Sequence, residues 1–294
     1  MSINNNIERL RSLSQLFSTA NFNKIVRKKD YVNTFERIQK HTAPSLQRSN
    51  LELFNAIYNE LLQSYRSEYI YKNTLINKKL IKDYSLKTTV ALNEFKIGNS
   101  IADFVLLNGV ARIFEIKTEL DGLDKLEKQI ADYYSFATEV YIVTSSKHIK
   151  KLIELYQGTD VGIIELTKKN SLKEIKSARS NSNFLDHSTI FKSLRKTEYT
   201  KVLEKNSIKI PNVPNTLYFK ECLHLAKNID ILKFQKSAIK ELKTRNIKNP
   251  DLLQDERIPN YLKHICYSLN FSKLEYEELN SFLNKPSKLC ISHI

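Results

Sequence analysis

Three charged side chains interrupt an otherwise apolar stretch between Ile101 and Lys117: Asp103, Glu115 and Lys117. Asn108-Gly109 divides the stretch into two strands, because that pair accepts the positive φ angles of a tight hairpin turn. Glu115 and Lys117 are two residues apart and so share one face of the second strand. An acid and a base in the middle of a sheet cost several kcal/mol unless something compensates them. A divalent cation would compensate the carboxylates, and a phosphate would compensate the lysine. Asp103 and Glu115 are hard oxygen ligands of the kind that Mg²⁺ or Mn²⁺ takes.

Whether the two carboxylates meet depends on the turn. A two-residue Asn108-Gly109 turn pairs Leu107 with Val110 and Asp103 with Phe114, which sends Asp103 and Glu115 to opposite faces. A three-residue loop, Leu107-Asn108-Gly109 with Gly109 left-handed at a bulge, pairs Leu106 with Val110. Asp103 then faces Ile113 and lies diagonally from Glu115, roughly 7–8 Å away between backbones. A shared metal therefore predicts the bulged loop or an equivalent irregularity near Asp103.

Periodicity supplies the surrounding elements. Ile7, Leu10, Leu13, Leu16 and Phe17 recur at helical spacing, and residues 23–50, basic and broken at Pro44, read as an arm of short helices. Leu51, Phe54, Ile57, Leu61 and Tyr65 predict a helix that resumes after a break over 67–83. Residues 88–97, 101–107 and 110–117 form a three-strand meander with Gly98-Asn99-Ser100 at its first turn. A helix over 122–137 buries Leu123, Leu126, Ile130, Tyr134 and Ala137. Residues 140–144 are a short apolar run suited to a buried parallel strand, followed by a helix near 147–156 and a strand at 161–166. Residues 168–179 read as a linker or exposed helix, and further helices are expected over 187–206, 216–246 and 257–285. The fold class is α/β (α+β), a mixed central sheet flanked by helices. Its expected division is a helical arm over 1–50, a core over 51–166 and a basic, mostly helical domain over 167–294.

The pattern Asp-x11-Glu-x-Lys formed by Asp103, Glu115 and Lys117 resembles the PD-(D/E)XK signature of the restriction-endonuclease-like nuclease superfamily. The order helix, three strands, helix, strand resembles that superfamily's core, with Ala102 in place of the motif's Pro. Gln129 and Tyr133 on the following helix resemble the Gln-xxx-Tyr motif of the RecB and lambda-exonuclease branch. Glu68 resembles the acidic residue often supplied by the first core helix. The run from Glu68 through Glu94-Phe95 and Ala102-Asp103 to Glu115-Ile116-Lys117 is similar to a group of little-characterised bacterial proteins with this core and a basic helical C-terminal region. The close resemblance covers about residues 60–166.

The resemblance implies a metal-dependent nuclease, with DNA as the nucleic acid and a role in phage defence or DNA processing. Endo- and exonucleolytic action both stay open. Asp103, Glu115, Glu68 and the Ile116 carbonyl would hold Mg²⁺ or Mn²⁺, and Lys117 would position and activate the water. Gln129 would orient the water, the substrate or Lys117, and Tyr133 would contact the phosphate or pack against it. The different-class alternative is a catalytically inactive nuclease fold that binds nucleic acid or protein. Glu94 is expected to pair with Lys96 or Arg112, and Glu119 and Asp121 to cap the helix beginning near 122.

Charge placement agrees with a polyanionic partner. The 294 residues carry 47 Lys+Arg against 32 Asp+Glu, a net +15. Residues 1–84 carry +7, residues 85–166 carry −3 and residues 167–294 carry +11; all five glycines fall in the middle segment and all six prolines outside it. An acidic centre between basic flanks suits carboxylate chemistry beside surfaces that attract nucleic acid. Lys147, Lys150 and Lys151, with Lys168, Lys169 and Lys173, are the candidate phosphate contacts. Cys222, Cys266 and Cys290 form neither a CxxC pair nor an even disulfide framework. The scattered histidines make no HExxH, and there is no GxxxxGK or GxSxG, which excludes zinc modules, phosphate-loop ATP hydrolysis and serine acyl transfer. No apolar run approaches the roughly 18 residues of a membrane span, and the first residues lack signal-peptide character. A cytoplasmic protein without a membrane partner is expected; self-association or a partner protein is left open.

Overall fold

Apolar residues at helical spacing put the first part of the chain into helices. The structure, a computed structural model that describes residues 3–42 and 48–291, begins with α1 (Ile3–Ser14), α2 (Thr19–Asn23), α3 (Val32–His41), α4 (Asn50–Ser64) and α5 (Glu68–Leu75). Helices α2 and α5 each run on into a π-helical turn, at Lys24–Lys28 and Ile76–Ile81. A reciprocal cap starts α4: Ser49 N–H donates to the Glu52 carboxylate at 2.8 Å, and Glu52 N–H donates to Ser49 Oγ at 3.3 Å. Two of the amides that a helix start leaves unpaired are satisfied in this way. The expected break at Pro44, and His293, lie outside the described residues.

The sheet follows as β1 (Val90–Ile97), β2 (Ser100–Asn108), β3 (Val110–Lys117), α6 (Leu126–Tyr134), β4 (Glu139–Thr144), α7 (Ser146–Tyr156), β5 (Gly162–Leu166) and β6 (Leu172–Lys176). The six strands form one mixed sheet in the order β1-β2-β3-β4-β5-β6, parallel at β3–β4 and β4–β5 and antiparallel elsewhere. This is the mixed α/β architecture implied by the periodicity. Strand β4 buries Val140, Ile142 and Val143 on both faces, as a parallel strand does. Strand β6 departs from expectation: Leu-Lys-Glu-Ile-Lys, read as linker or exposed helix, is an edge strand whose lysines discourage pairing with another chain.

The chain continues with α8 (His187–Lys192), α9 (Lys196–Lys205), α10 (Asn215–Ala226), α11 (Ile231–Leu242), α12 (Pro250–Gln254), α13 (Lys263–Leu269), α14 (Lys273–Asn284) and α15 (Ser287–Ile291). Two compact units result, and they cut across the three segments expected from the sequence. The first unit joins α1–α5 and residues 168–170 to α12–α15. Its centre is aromatic, with Phe17 in ring contact with Phe54, Tyr58, Tyr69 and Tyr261. Buried Asn50 ties α4 to α14 by donating to the Phe282 carbonyl at 2.9 Å. The last sixth of the chain thus completes the N-terminal helical unit.

The second unit holds the sheet and α6–α11, over residues 84–167 and 171–246. One apolar cluster joins Val105 and Leu107 of β2 and Ala111 and Ile113 of β3 to Leu126 and Ile130 of α6, and onward to Phe191, Val202 and Phe234. No helix of the described residues is long and apolar enough to cross a membrane.

Candidate active site

The hairpin that carries the charged triad turns more tightly than either loop considered above. Leu107 pairs with Ala111 and Asn108 with Val110, leaving Gly109 between them at φ 74°, a value glycine takes without a Cβ penalty. The expected bulged loop is not formed: Leu106 faces Arg112, not Val110. The change of register favours the carboxylates. Phe104 pairs with Phe114, so the next position brings Asp103 level with Glu115 instead of Ile113. The β2–β3 ladder ends at Phe104, and the Asp103 side chain takes over from it: Ile116 N–H donates to Asp103 Oδ2 at 2.8 Å. The strand's amide keeps an acceptor, as a part-buried N–H must.

An irregularity does lie at Asp103, but on its other side. Strands β1 and β2 pair from Val90 and Leu107 to Ile97 and Ser100 without a slip, and the ladder steps from Asn93–Phe104 to Phe95–Ala102 across Glu94 and Asp103, which that register sets opposite each other. Glu94 has φ 51°, a left-handed conformation that costs a non-glycine residue about 1–3 kcal/mol. The alternation inverts there: Val90 and Leu92 face the apolar cluster before Glu94, and Phe95 and Ile97 after it. On β2, Leu107 and Val105 give way to Ala102 in the same manner. The kink leaves carboxylate oxygens of Glu94 and Asp103 within 4.8 Å of each other. Glu94 was expected to pair with Lys96 or Arg112, but Arg112 grips Glu139 at 2.6 and 3.3 Å. Nothing in the local sequence marks Glu94, because its conformation is set by two strands together.

Glu115 is 2% exposed, and three donors converge on its carboxylate. Lys117 Nζ donates to Oε1 at 2.8 Å, Gln129 Nε2 donates to Oε1 at 2.6 Å and Tyr133 Oη donates to Oε2 at 2.6 Å. Lys117 Nζ also donates to Gln129 Oε1 at 2.9 Å, and Tyr133 Oη lies 3.0 Å from the Ile101 carbonyl oxygen. Burial, and then the Glu115 carboxylate, push the Tyr133 hydroxyl far above its ordinary pKa, so it remains a donor at neutral pH.

Helix α6 delivers both partners from one face. Leu126, Ile130 and Tyr134 bury at helical spacing, and Gln129 and Tyr133 stand one turn apart beside them. The helix is pinned to the β1–β2 turn, where Ser100 Oγ donates to Asp132 Oδ2 at 2.6 Å. Gly98, at φ 58°, is required in that turn, since a Cβ would come within 2.9 Å of Asp132 Oδ1. The helix starts at Leu126, later than expected, and Asp121 does not cap it. Asp121 instead accepts Thr118 N–H at 2.8 Å and Thr118 Oγ1–H at 2.7 Å, closing the turn after β3.

The remaining candidates stand on other parts of the chain. Glu68 is the first residue of α5 in the first unit, where Lys72 Nζ lies 2.5 Å from its carboxylate. Lys147, Lys150 and Lys151 are exposed along α7, and Lys147 Nζ donates to the Glu119 carbonyl at 2.5 Å. Lys173 is exposed on β6, while Lys168 and Lys169, also exposed, belong to the first unit. The six lysines therefore do not gather on one element.

Fold and cluster together define an α/β protein built around a charged site on a mixed sheet. Within that class the chain belongs to the family described as Bacteriophage P4 protein cII, which it matches over residues 62–264, more than half of its length. It is 28% identical over 172 residues to protein cII of Enterobacteria phage P4, an alignment covering 56% of this chain and 63% of that protein. The chain thus spans less than two thirds of that relative's length. The SPO1766 protein of unknown function from Silicibacter pomeroyi aligns with 41% of this chain and 81% of its own, at 12% identity and a TM-score of 0.28. The family match contains every residue of the Glu115 cluster.

Proposed function

We propose that the protein is a Mg²⁺-dependent nuclease that hydrolyses phosphodiester bonds, with DNA as substrate. The observation that carries this reading is the register that sets Asp103 level with Glu115 and the Lys117 ammonium 2.8 Å from the Glu115 carboxylate. The donor set fits a hard divalent cation. Glu94 and Asp103 bring carboxylate oxygens within 4.8 Å of each other, and the register sets Glu115 level with Asp103. Ile116, whose N–H faces Asp103, offers its carbonyl on the same side of β3. When bound, Mg²⁺ would supply charge neutralisation at the phosphate and a more acidic attacking water.

Lys117 would hold that water and favour its hydroxide form. At about 4 Å and an effective dielectric near 20, one positive charge is worth about 4 kcal/mol, an upper figure because Glu115 already shares the ammonium. Gln129, bonded to Lys117 and Glu115 at once, fixes the distance between them. Tyr133 holds the second Glu115 oxygen. Both act as positioning residues.

One observation favours a second reading, an inactive nuclease fold that binds nucleic acid or protein. Three donors already satisfy both Glu115 oxygens, which makes the cluster self-sufficient as a structural lock. The test is cleavage of supercoiled, linear and single-stranded DNA and of RNA by the purified protein, with Mg²⁺, Mn²⁺ or EDTA. Metal-dependent cutting that Asp103→Asn abolishes is the expected result, and Glu68→Gln in the same panel tests the acidic residue assigned by resemblance. Binding without cutting under every condition would transfer the assignment to the second reading.

A further inference from the structure

The turn between β1 and β2 and the start of α9 border a cleft of about 590 Å³ within the second unit, lined by Lys96, Lys192, Arg195 and Arg245 and by no carboxylate. Of the four arginines in this unit, three meet an acid: Arg112 pairs with Glu139, Arg179 with Asp160 and Arg245 with Glu198. Arg195 is the exception. Among the described residues, neither its guanidinium nor the ammonium groups of Lys96 and Lys192 forms a hydrogen bond or ion pair. Glu198, one turn into α9, is held by Arg245 at 2.5 and 2.7 Å and by the Arg195 N–H at 2.7 Å. Three like charges around one opening, Arg195 only partly balanced by the Glu198 carboxylate that Arg245 already holds, repel one another until an anion enters. Arg195 is also the N-cap of the ten-residue helix α9, whose first amides add positive potential at the same place.

The cleft adjoins the candidate carboxylates along β1. Lys96 is two residues from Glu94, and both are exposed; at about 3.3 Å per strand residue the separation is on the order of 7 Å. We infer that this cleft holds the sugar–phosphate backbone of a nucleic-acid strand beside the Glu94–Asp103 carboxylates. The identity of the anion rests on the nuclease reading, while the presence of an anion site rests on the charges themselves. The cleft binds through Lys96, Lys192 and Arg195, none of which belongs to the Glu115 cluster. Backbone contacts of this kind fix the register of a strand and carry no base preference.

The test is binding of labelled duplex DNA, single-stranded DNA and RNA to the full chain in EDTA, over a range of salt concentrations. The Lys192→Ala/Arg195→Ala variant is compared with Lys227→Ala/Lys236→Ala, which removes the same charge from exposed residues that do not line the cleft. The cleft variant is expected to bind roughly 10- to 30-fold more weakly, with the salt slope reduced by about two, and the control to change by less than about threefold. Lys96→Ala, from the opposite wall, gives an independent loss if the double variant fails to fold. Equal losses in cleft and control variants, or a wild-type protein that binds none of the three probes, would overturn the inference. Cleavage separates it from the nuclease reading: binding that depends on the cleft without cutting removes the nuclease and keeps the cleft. Cutting with binding unchanged by the substitutions keeps the nuclease and removes the cleft.

Discussion

The Tyr133 hydroxyl, with no solvent exposure, donates a 2.6 Å hydrogen bond to Oε2 of Glu115. That bond ties α6 to β3 at the one point where the sheet buries a carboxylate among apolar residues. Its neighbours complete the compensation: Lys117 supplies the countercharge and Gln129 bridges the two. The same four side chains therefore hold a helix on a sheet and preset the geometry of a charged site.

Tyr133→Phe removes one donor and leaves Glu115 Oε2 short of a partner in a buried position. Such a loss costs about 1–3 kcal/mol. Urea unfolding is expected to show a lower midpoint with an unchanged slope. An unchanged midpoint would mean that this hydrogen bond contributes nothing to the fold.

Glu115 and Lys117 form an ion pair whose side chains are 2% and 12% exposed. Breaking a buried pair from one side costs about 3–5 kcal/mol, because it leaves the other charge uncompensated. Glu115→Gln and Lys117→Met are each expected to destabilise strongly, and the double variant to lose less than the sum by at least about 1 kcal/mol. Additive losses in that cycle would show that the two groups do not depend on each other.

Adding Mg²⁺ or Mn²⁺ is expected to raise the unfolding temperature, and EDTA to reverse the rise. At a hundredfold excess over the dissociation constant the gain is about 2.7 kcal/mol. Asp103→Asn should abolish the shift by removing one of the hard oxygen donors. A shift that survives in the variant would place the cation elsewhere.

Acid sensitivity of the first unit should trace to His264. Burial, and then the nearby Lys72, hold its pKa at about 3, against an ordinary value of 6.5. Between those values the unfolded chain binds a proton that the folded chain refuses, so stability falls as pH drops from 6.5 towards 3. One such proton corresponds to about 1.4 kcal/mol per pH unit. His264→Phe is expected to flatten that slope by one proton in urea titrations above the carboxylate range. An identical slope in wild type and variant would contradict it.

Much of the site's scaffold is legible in the sequence. Asn108-Gly109 between two apolar runs locates the hairpin, and β3 occupies the residues expected of it. The run at 140–144 reads correctly as a buried parallel strand, extended by Glu139 in the structure, because it is apolar on both faces. Register is another matter. Loops of different length all fit the same two glycine-marked residues, and the pairing is decided by packing of Val105, Leu107, Ala111 and Ile113 against α6 and beyond. The left-handed Glu94 has no local signature, since neither neighbour is glycine. Strand β6 is hidden by its lysines, which an edge strand tolerates and a central strand would not. The union of α12–α15 with α1–α5 rests on contacts between residues some 200 positions apart, such as Asn50 with Phe282, and no periodicity within either segment announces them.

Single-turnover cleavage of DNA in Mg²⁺ by wild type and by Lys117→Ala, with DNA binding measured in EDTA on the same preparations, decides whether the cluster is catalytic. A general-base or water-positioning role is worth roughly 100- to 10,000-fold. A catalytic Lys117 therefore gives a loss of at least about a hundredfold in the cleavage rate while binding stays within about threefold. Equal cleavage by the two proteins, or folded wild-type protein that binds DNA and never cuts it, would contradict the nuclease and leave the cluster as a structural lock.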